Sequence, residues 1–507
     1  MYCQTLTLDE FRNYRHLSLQ LSPGVTVIQG DNASGKTTLL EALYLLATVR
    51  SPRTTSDLEL INFAAPTDLG SPPFSRIVAQ VERNRGPLQV EVLVVRDEEH
   101  EGPGGFQVSA QARKRIKVNG VARRAIDLVG QANVVLFTPQ DVDLVTGPPS
   151  LRRRYMDVTI SQMDHRYVRL LSQYMKVLAQ RNSLLKSFKE QGRSPGSRDV
   201  AEEIAYWDEE LVKHGSYVIL RRDIFTERLS SRAQAVHHLL AGTDAGMGNS
   251  DTRLLLRERR PTAELRLHVA YQTAVAPIAR ATLLPDLLAQ MEADSDQSDL
   301  TGGAYTAAID PNLRGRIPHL EKHIEAISTE FKAQLEETRT NEIRRGVSLL
   351  GPHRDDLLFQ LGEPTTGTGG TGGTGHALEL SAYGSRGQQR TAVLALKLAE
   401  VDLMTAETGD TPILLLDDIM SELDIRRRGY LLATIGSQQY QALITTTDLA
   451  GFDQAFLDRA TLLEVAQGEV AAVTTTDDRR QTTDDGAKQR KTRSPRAKRE
   501  DHEAHQA

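Results

Sequence analysis

At 507 residues, with 39% hydrophobic and 25% charged side chains, the chain has the composition of a globular protein long enough for two or three compact units. A single cysteine, Cys3, excludes an internal disulfide and a thiolate metal cluster, and no apolar run approaches the roughly 18 residues of a membrane span. The polar start "MYCQTLTLDEFRNYRH" lacks the pattern of a signal peptide, so no membrane association and a cytoplasmic location are expected.

In chain order, "QTLTL" and "GVTVIQG" read as strands, and the second runs into "DNASGKTTLLEALYLLATV", a glycine-rich loop followed by a helix carrying Leu39, Leu40, Leu43 and Leu46. The stretch "GDNASGKT", formed by Gly30, Asp31, Asn32, Ala33, Ser34, Gly35, Lys36 and Thr37, fits G-x-x-x-x-G-K-[ST]. Strand before and helix after is the setting in which backbone N–H groups and a helix N-terminus cradle phosphates. There Lys36 would reach the β- and γ-phosphates of ATP, and Thr37 would bind Mg2+. Alternating patterns in "RIVAQVE", "LQVEVLVVR" and "KRIKVNGVA" predict strands between about 76 and 138, with Asn119-Gly120 marking a hairpin.

From Leu151 the periodicity becomes helical. Met156, Ile160, Met163, Tyr167, Leu170, Tyr174 and Val177 are spaced 4, 3, 4, 3, 4, 3, the repeat of a helix packing along another helix. Residues 151–350 are therefore expected to form a helical lobe with a short arm. The basic runs "ARKRIKVNGVARR" and "LRRRY" suit either a solvated face or phosphate contact. In "GPHRDD", His353 and Arg354 suit contact with DNA or nucleotide, or a pairing of Arg354 with Asp355 or Asp356.

Strand character resumes at "DDLLFQLGE", ahead of the low-complexity insertion "GEPTTGTGGTGGTGH". Next, "SAYGSRGQQRTA" opens a predicted helix; Ser385 could be its N-cap, which leaves the Gly-Gln-Gln-Arg cluster unexplained. "TPILLLDDIMSELD" follows: Ile413 to Leu416 read as a buried parallel strand ending in Asp417 and Asp418. Adjacent carboxylates repel unless a cation or a reacting proton relieves them. Asp417 is therefore expected to hold the magnesium, and Asp418 to orient or deprotonate the attacking water. The catalytic set is then Lys36, Asp417 and Asp418. Because Lys36 and Asp417 lie 381 positions apart, the nucleotide site is split between the two ends of the chain.

This arrangement resembles the ABC-type P-loop ATPases, whose serine-glycine-glutamine signature at a helix start binds the γ-phosphate held by a second subunit. "SRGQ", with Ser385, Gly387 and Gln388, stands about thirty residues before Asp417 and is followed by the D-loop-like "SELD". More narrowly, "LTLDEFRNYRHLSLQL", "GDNASGKTTLLEALYLL", "PPSLRRRYMDV", "EIRRGVSLLGPHRDDL", "YGSRGQQRTAVLALKLAE" and "ILLLDDIMSELD" resemble the RecF family of bacterial DNA replication and repair ATPases, related to SMC proteins. The resemblance implies an α/β, ABC-type ATPase head with an inserted helical lobe. Residues 1–150 and 351–470 would be its halves and 151–350 the lobe. Residues 471–507 depart from the family pattern: the acidic and polar "TTTDDRRQTTDDG" and the basic "KQRKTRSPRAKR" hold too little apolar surface to fold, and read as a disordered basic tail. The resemblance further implies an ATP-dependent homodimer with weak ATPase activity that binds single-stranded and gapped or junction DNA, works with RecR and RecO, promotes RecA loading and supports the SOS response. Gln140 in "FTPQDV" would match the Q-loop of the wider class. The switch histidine of transporter ATPases is replaced by Thr447 or Asp448 in "LITTTDL". An ABC transporter ATPase subunit and an SMC-like structural DNA clamp are the alternatives.

Overall fold

The computed structural model describes residues 1–65, 72–97, 111–242, 266–298, 318–362, 378–437 and 440–472. The glycine- and threonine-rich insertion and the basic tail from 473 onward lie outside these residues.

Two six-stranded sheets and a helical arm organise the chain. The first sheet is antiparallel and runs, edge to edge, Tyr14–Gln20, Tyr2–Phe11, Phe74–Glu82, Leu88–Arg96, Ala112–Val118 and Val121–Arg123. Asn119 and Gly120, with φ of 49° and 77°, make the tight hairpin that joins its last two strands. The second sheet is ordered Glu469–Ala472, Thr461–Ala466, Val25–Gln29, Ala442–Thr446, Ile413–Asp417 and Val134–Phe137. All its pairings are parallel except that of the first two strands. Strands from both ends of the chain are thus interleaved in one sheet.

The apolar run at 413–416 is explained by this placement, since a parallel sheet is covered on both faces. Ile413 and Leu415 join the core shared with the helix Lys36–Thr48 and the antiparallel sheet. Leu414 and Leu416 join the core shared with the helix Arg386–Thr408. The amide and carbonyl of Cys3 pair with the buried Gln441 side chain, which fixes the first strand to the parallel sheet.

The arm contains helices Pro149–Met163, His165–Glu190, Arg198–Gly242 and Pro318–Arg345. The hydrophobic stripe of the sequence does continue from Met156 to Val177, but over two helices. Asp164 divides them: its carboxylate accepts from the Tyr167 amide at 2.9 Å and from Arg221 and Tyr217 at 2.7 and 2.8 Å. A third sheet, ordered Leu378–Glu379, Asp356–Gly362 and Arg266–Gln272, includes a strand within the segment read as helical.

Buried charges at the base of the arm are paired. Arg181, fully buried, donates to Asp208 at 2.7 Å, Glu342 at 2.6 Å and Ser348 at 2.7 Å. Arg222, also buried, reaches Asp157 at 2.7 Å, Asp355 at 3.2 Å and the Pro352 carbonyl at 2.5 Å. The reading of "LRRRY" as a basic face is corrected at Arg152, which is buried and grips Asp356 at 2.6 and 2.8 Å; Arg153, half-buried, and Arg154, exposed, donate to the carbonyls of Asp355 and Ser51. Arg354 pairs with neither neighbouring aspartate. Its guanidinium donates to the Ser348 carbonyl instead.

Candidate functional site

The loop at residues 30–35 is shaped by close approaches at its two glycines, which leave no room for a side chain there. A Cβ on Gly30 would lie 2.3 Å from the Val465 carbonyl oxygen, and one on Gly35, at φ +118°, would lie 2.7 Å from the Tyr14 hydroxyl. Ala33 is itself left-handed at φ 64°, a backbone cost of the kind found where a ligand site dictates geometry. The Tyr14 hydroxyl donates to the Gly35 carbonyl at 3.1 Å, and Asn13 Nδ2 to that of Ser34 at 3.2 Å. The Ser34 hydroxyl is buried without a protein partner, so this loop retains polar capacity.

Lys36 is only 7% exposed, and its ammonium donates to the carbonyls of Gly30 and Asp31 at 2.7 and 2.8 Å. Burial lowers its pKa, while the charges of Asp418, Asp417 and Asp31 oppose that shift. The Thr37 hydroxyl donates to Asp417 Oδ1 at 2.7 Å, joining residues 380 positions apart. Thr445 donates to the same oxygen at 2.9 Å. These are hard oxygen donors of the kind magnesium takes, so the set fits that ion.

Asp418 follows in a left-handed conformation, φ 49°, where the strand ends. Burial raises its pKa; Asp417 and Glu422 add to the effect and Lys36 opposes it. Such a carboxyl is a stronger base than an ordinary aspartate once ionised.

Asn32, Ala33, Gly35, Lys36, Thr37, Gln140, Asp417, Asp418 and Thr447 share one cavity of about 1000 Å³. Gln140 reaches it from the turn Pro139–Val142, whose Thr138 and Asp141 form a reciprocal cap. Asp448 instead caps a short turn by accepting from the Ala450 amide. Ser385, Gly387 and Gln388 do not line the cavity. They form the exposed start of the helix Arg386–Thr408, where Ser385 Oγ accepts from the Gln388 amide at 3.3 Å and Gln388 Oε1 from the Ser385 amide at 2.8 Å. The N-cap reading of Ser385 is therefore realised. The turn after Asp418 is bound to the same helix, because Arg390 forms an ion pair with Glu422.

Sequence reasoning missed Arg12, Asn13, Arg53 and Phe63, which also line the cavity. Arg12 pairs with the fully buried Glu41 of the P-loop helix at 2.7 Å. A charged residue among the leucines of that helix was the available signal.

A P-loop and an acidic strand from opposite ends of the chain, joined in one sheet around an inserted helical arm, define an SMC-like, ABC-type ATPase head. The family model described as the RecF/RecN/SMC N terminal domain matches residues 2–471. The "DNA replication and repair protein RecF" of Roseiflexus castenholzii is 41% identical over 93% of this chain and 99% of its own length. That of Chloroflexus aurantiacus is 40% identical over 93% of this chain and 100% of its own. Among solved structures, one titled for the recombination mediator protein RecF with ATP in the RecFOR pathway superposes with a TM-score of 0.65 at 26% identity, covering 93% of this chain and 98% of that one. The chain belongs to the RecF family of DNA replication and repair proteins. Among the described residues, no helix is long and apolar enough to cross a membrane.

Proposed function

We propose that this chain binds ATP with Mg2+ in the cavity at Lys36, dimerises on it, and hydrolyses it slowly while acting on DNA. The observation that carries the reading is the 2.7 Å hydrogen bond from Thr37 to Asp417. It brings a hydroxyl and a carboxylate oxygen together at the end of the loop, which supports their use as ligands of a magnesium ion that would neutralise charge on the β- and γ-phosphates. On binding, the Lys36 ammonium would exchange carbonyl oxygens of its own loop for phosphate oxygens. Asp418 would accept a proton from the attacking water. Gln140 and Thr447 would flank the γ-phosphate.

The signature turn lies outside that cavity, which supports its use by a second subunit. There, free N–H groups at the start of a 23-residue helix would meet the partner's γ-phosphate. Tyr383, 74% exposed, lies two residues before Ser385, and Ile425, 84% exposed, follows the SELD turn; both would be covered by such an assembly. Family membership supports DNA at single-strand gaps and duplex junctions as the substrate, RecR and RecO as partners, and RecA loading and SOS induction as the outcome. A cytoplasmic, nucleoid-associated location accords with that role.

The test is sedimentation of the purified chain with and without ATP, alone and with gapped DNA. ATP-dependent dimers that bind gapped DNA are expected. Ser385→Arg should bind ATP as a monomer without assembling, and Lys36→Ala should not bind it. Mixing the two should restore one composite site, with intact Lys36 from the first and intact Ser385 from the second. No ATP-dependent heterodimer, under conditions where the parent chain dimerises, would overturn action in trans.

A further inference from the structure

The groups assigned above account for only part of the cavity wall. Thr37, Asp417 and Gln140 mark the end where the γ-phosphate and its metal belong, so the ribose and base must leave the loop away from them. Much of the remaining wall comes from one short stretch, residues 58–65, through Leu58, Glu59, Ile61, Asn62, Phe63 and Ala65.

The backbone of this stretch is tied down. Arg12 N–H donates to the Leu60 carbonyl at 3.0 Å, Ile61 bridges to Phe11, and Asn62 N–H donates to the Glu10 carbonyl at 2.8 Å. The Asn62 side chain in turn accepts from the Ala64 amide at 2.8 Å. Leu60 is fully buried and Asn62 is 6% exposed, yet Phe63 between Asn62 and Ala64 is 97% exposed. An aromatic ring held out from an anchored backbone, on the wall of a cavity, is not explained by core packing. Such a ring is costly in water and has a flat apolar face suited to a nucleobase.

We propose that Phe63 is the platform on which the base of the bound nucleotide stacks, with the anchored segment at 58–62 as its support. The assignment rests on the ATP reading above and names the part of the ligand that the P-loop does not hold. Stacking does not select among bases, because every base has a π-face. Phe63 therefore contributes affinity for a nucleoside triphosphate over a bare polyphosphate, without choosing adenine.

The experiment compares ATP with inorganic tripolyphosphate, by titration calorimetry at protein concentrations where sedimentation shows monomers. Phe63→Ala should weaken ATP binding about tenfold and leave tripolyphosphate binding unchanged, in line with the loss of one base–aromatic stack. Phe63→Tyr should bind ATP as the parent does, and Phe63→Leu, apolar but without a π-face, should remain weak. In a Trp207→Phe background that removes the chain's one tryptophan, fluorescence of the Phe63→Trp protein should be quenched by ATP and not by tripolyphosphate. Parent-like ATP affinity in Phe63→Ala would overturn the platform and leave the ATP reading standing, also if ATP-dependent assembly were weakened, because Phe63 would then be a subunit contact. Equal losses for ATP and tripolyphosphate would overturn it too. Failure of the parent chain to bind ATP would instead remove the reading on which it rests.

Discussion

The nucleotide end of the head and the base of the arm both concentrate charge inside the protein, but they dispose of it differently. At the base of the arm every buried guanidinium described above has a carboxylate within hydrogen-bonding distance: Arg181 has Asp208 and Glu342, Arg222 has Asp157 and Asp355, and Arg152 has Asp356. At the nucleotide end, Lys36 donates only to backbone carbonyls, and the adjacent Asp417 and Asp418 face a cavity with it. Charges that neutralise one another hold structure, and charges held apart around a cavity await a ligand. The two regions should therefore respond oppositely to substitution.

The largest effect expected is on chemistry. Asp418→Asn should slow ATP hydrolysis by roughly 10²–10⁴-fold, the usual contribution of a general base, and leave ATP binding and the melting temperature near those of the parent. Because burial and Asp417 raise the pKa of Asp418, the hydrolysis rate of the parent should fall with decreasing pH at a higher pH than for an ordinary aspartate. A pre-steady-state rate equal to the parent's would move the role elsewhere.

Arg222→Met should act in the reverse sense. It leaves Asp157 and Asp355 without their shared partner, at a cost of about 3–5 kcal/mol in urea unfolding, while ATP affinity measured below the transition should be retained. Equal stability of the Arg222→Met and parent chains would break the contrast drawn between the regions.

How much of this could be read beforehand depended on the range of the contacts. The P-loop, the acidic strand and the Asn119-Gly120 hairpin are local patterns with local causes, and they were legible in the sequence. Arg152 was not, because the carboxylate that buries it lies 204 positions away. The stripe from Met156 to Val177 kept its spacing through the break at Asp164 because Met163 and Tyr167, on either side of it, pack into the same core, so hydrophobic period alone could not reveal the cap. Phe63 carried no signal, since a phenylalanine within the apolar stretch "LELINFAAP" reads as one more core residue.

A smaller effect is expected from His353, at the join between head and arm. Its Nε2–H donates to the Ser348 carbonyl at 3.3 Å, so Nδ1 accepts from the Tyr174 hydroxyl at 2.6 Å. Burial, with nearby arginines adding to it, lowers its pKa from 6.5 to about 4. The unfolded chain thus binds this proton more readily than the folded one. Stability is fully present above about pH 6.5 and is lost as pH falls towards 4, with a slope of up to about 1.4 kcal/mol per pH unit from this group. His353→Gln should flatten that part of the profile, and an unchanged slope in urea melts between pH 6.5 and 4 would refute the assignment.

The smallest effect on stability is expected at the signature turn, where both uses of a polar side chain meet in one residue. Ser385 caps its helix, and Ser385→Ala should cost about 1 kcal/mol through loss of that cap. Ser385→Asp keeps a capping oxygen and places a negative charge where the helix dipole favours it, so its melting temperature should stay within a degree or two of the parent's. A partner's γ-phosphate approaching the same turn would meet that carboxylate at close range, and like charges there oppose docking. Ser385→Asp should therefore fold as the parent does, bind ATP through its own Lys36 and Thr37, and fail to dimerise. If it dimerised normally in sedimentation with ATP, the cap would be the whole of the residue's purpose, and the turn would belong with the charges that hold structure.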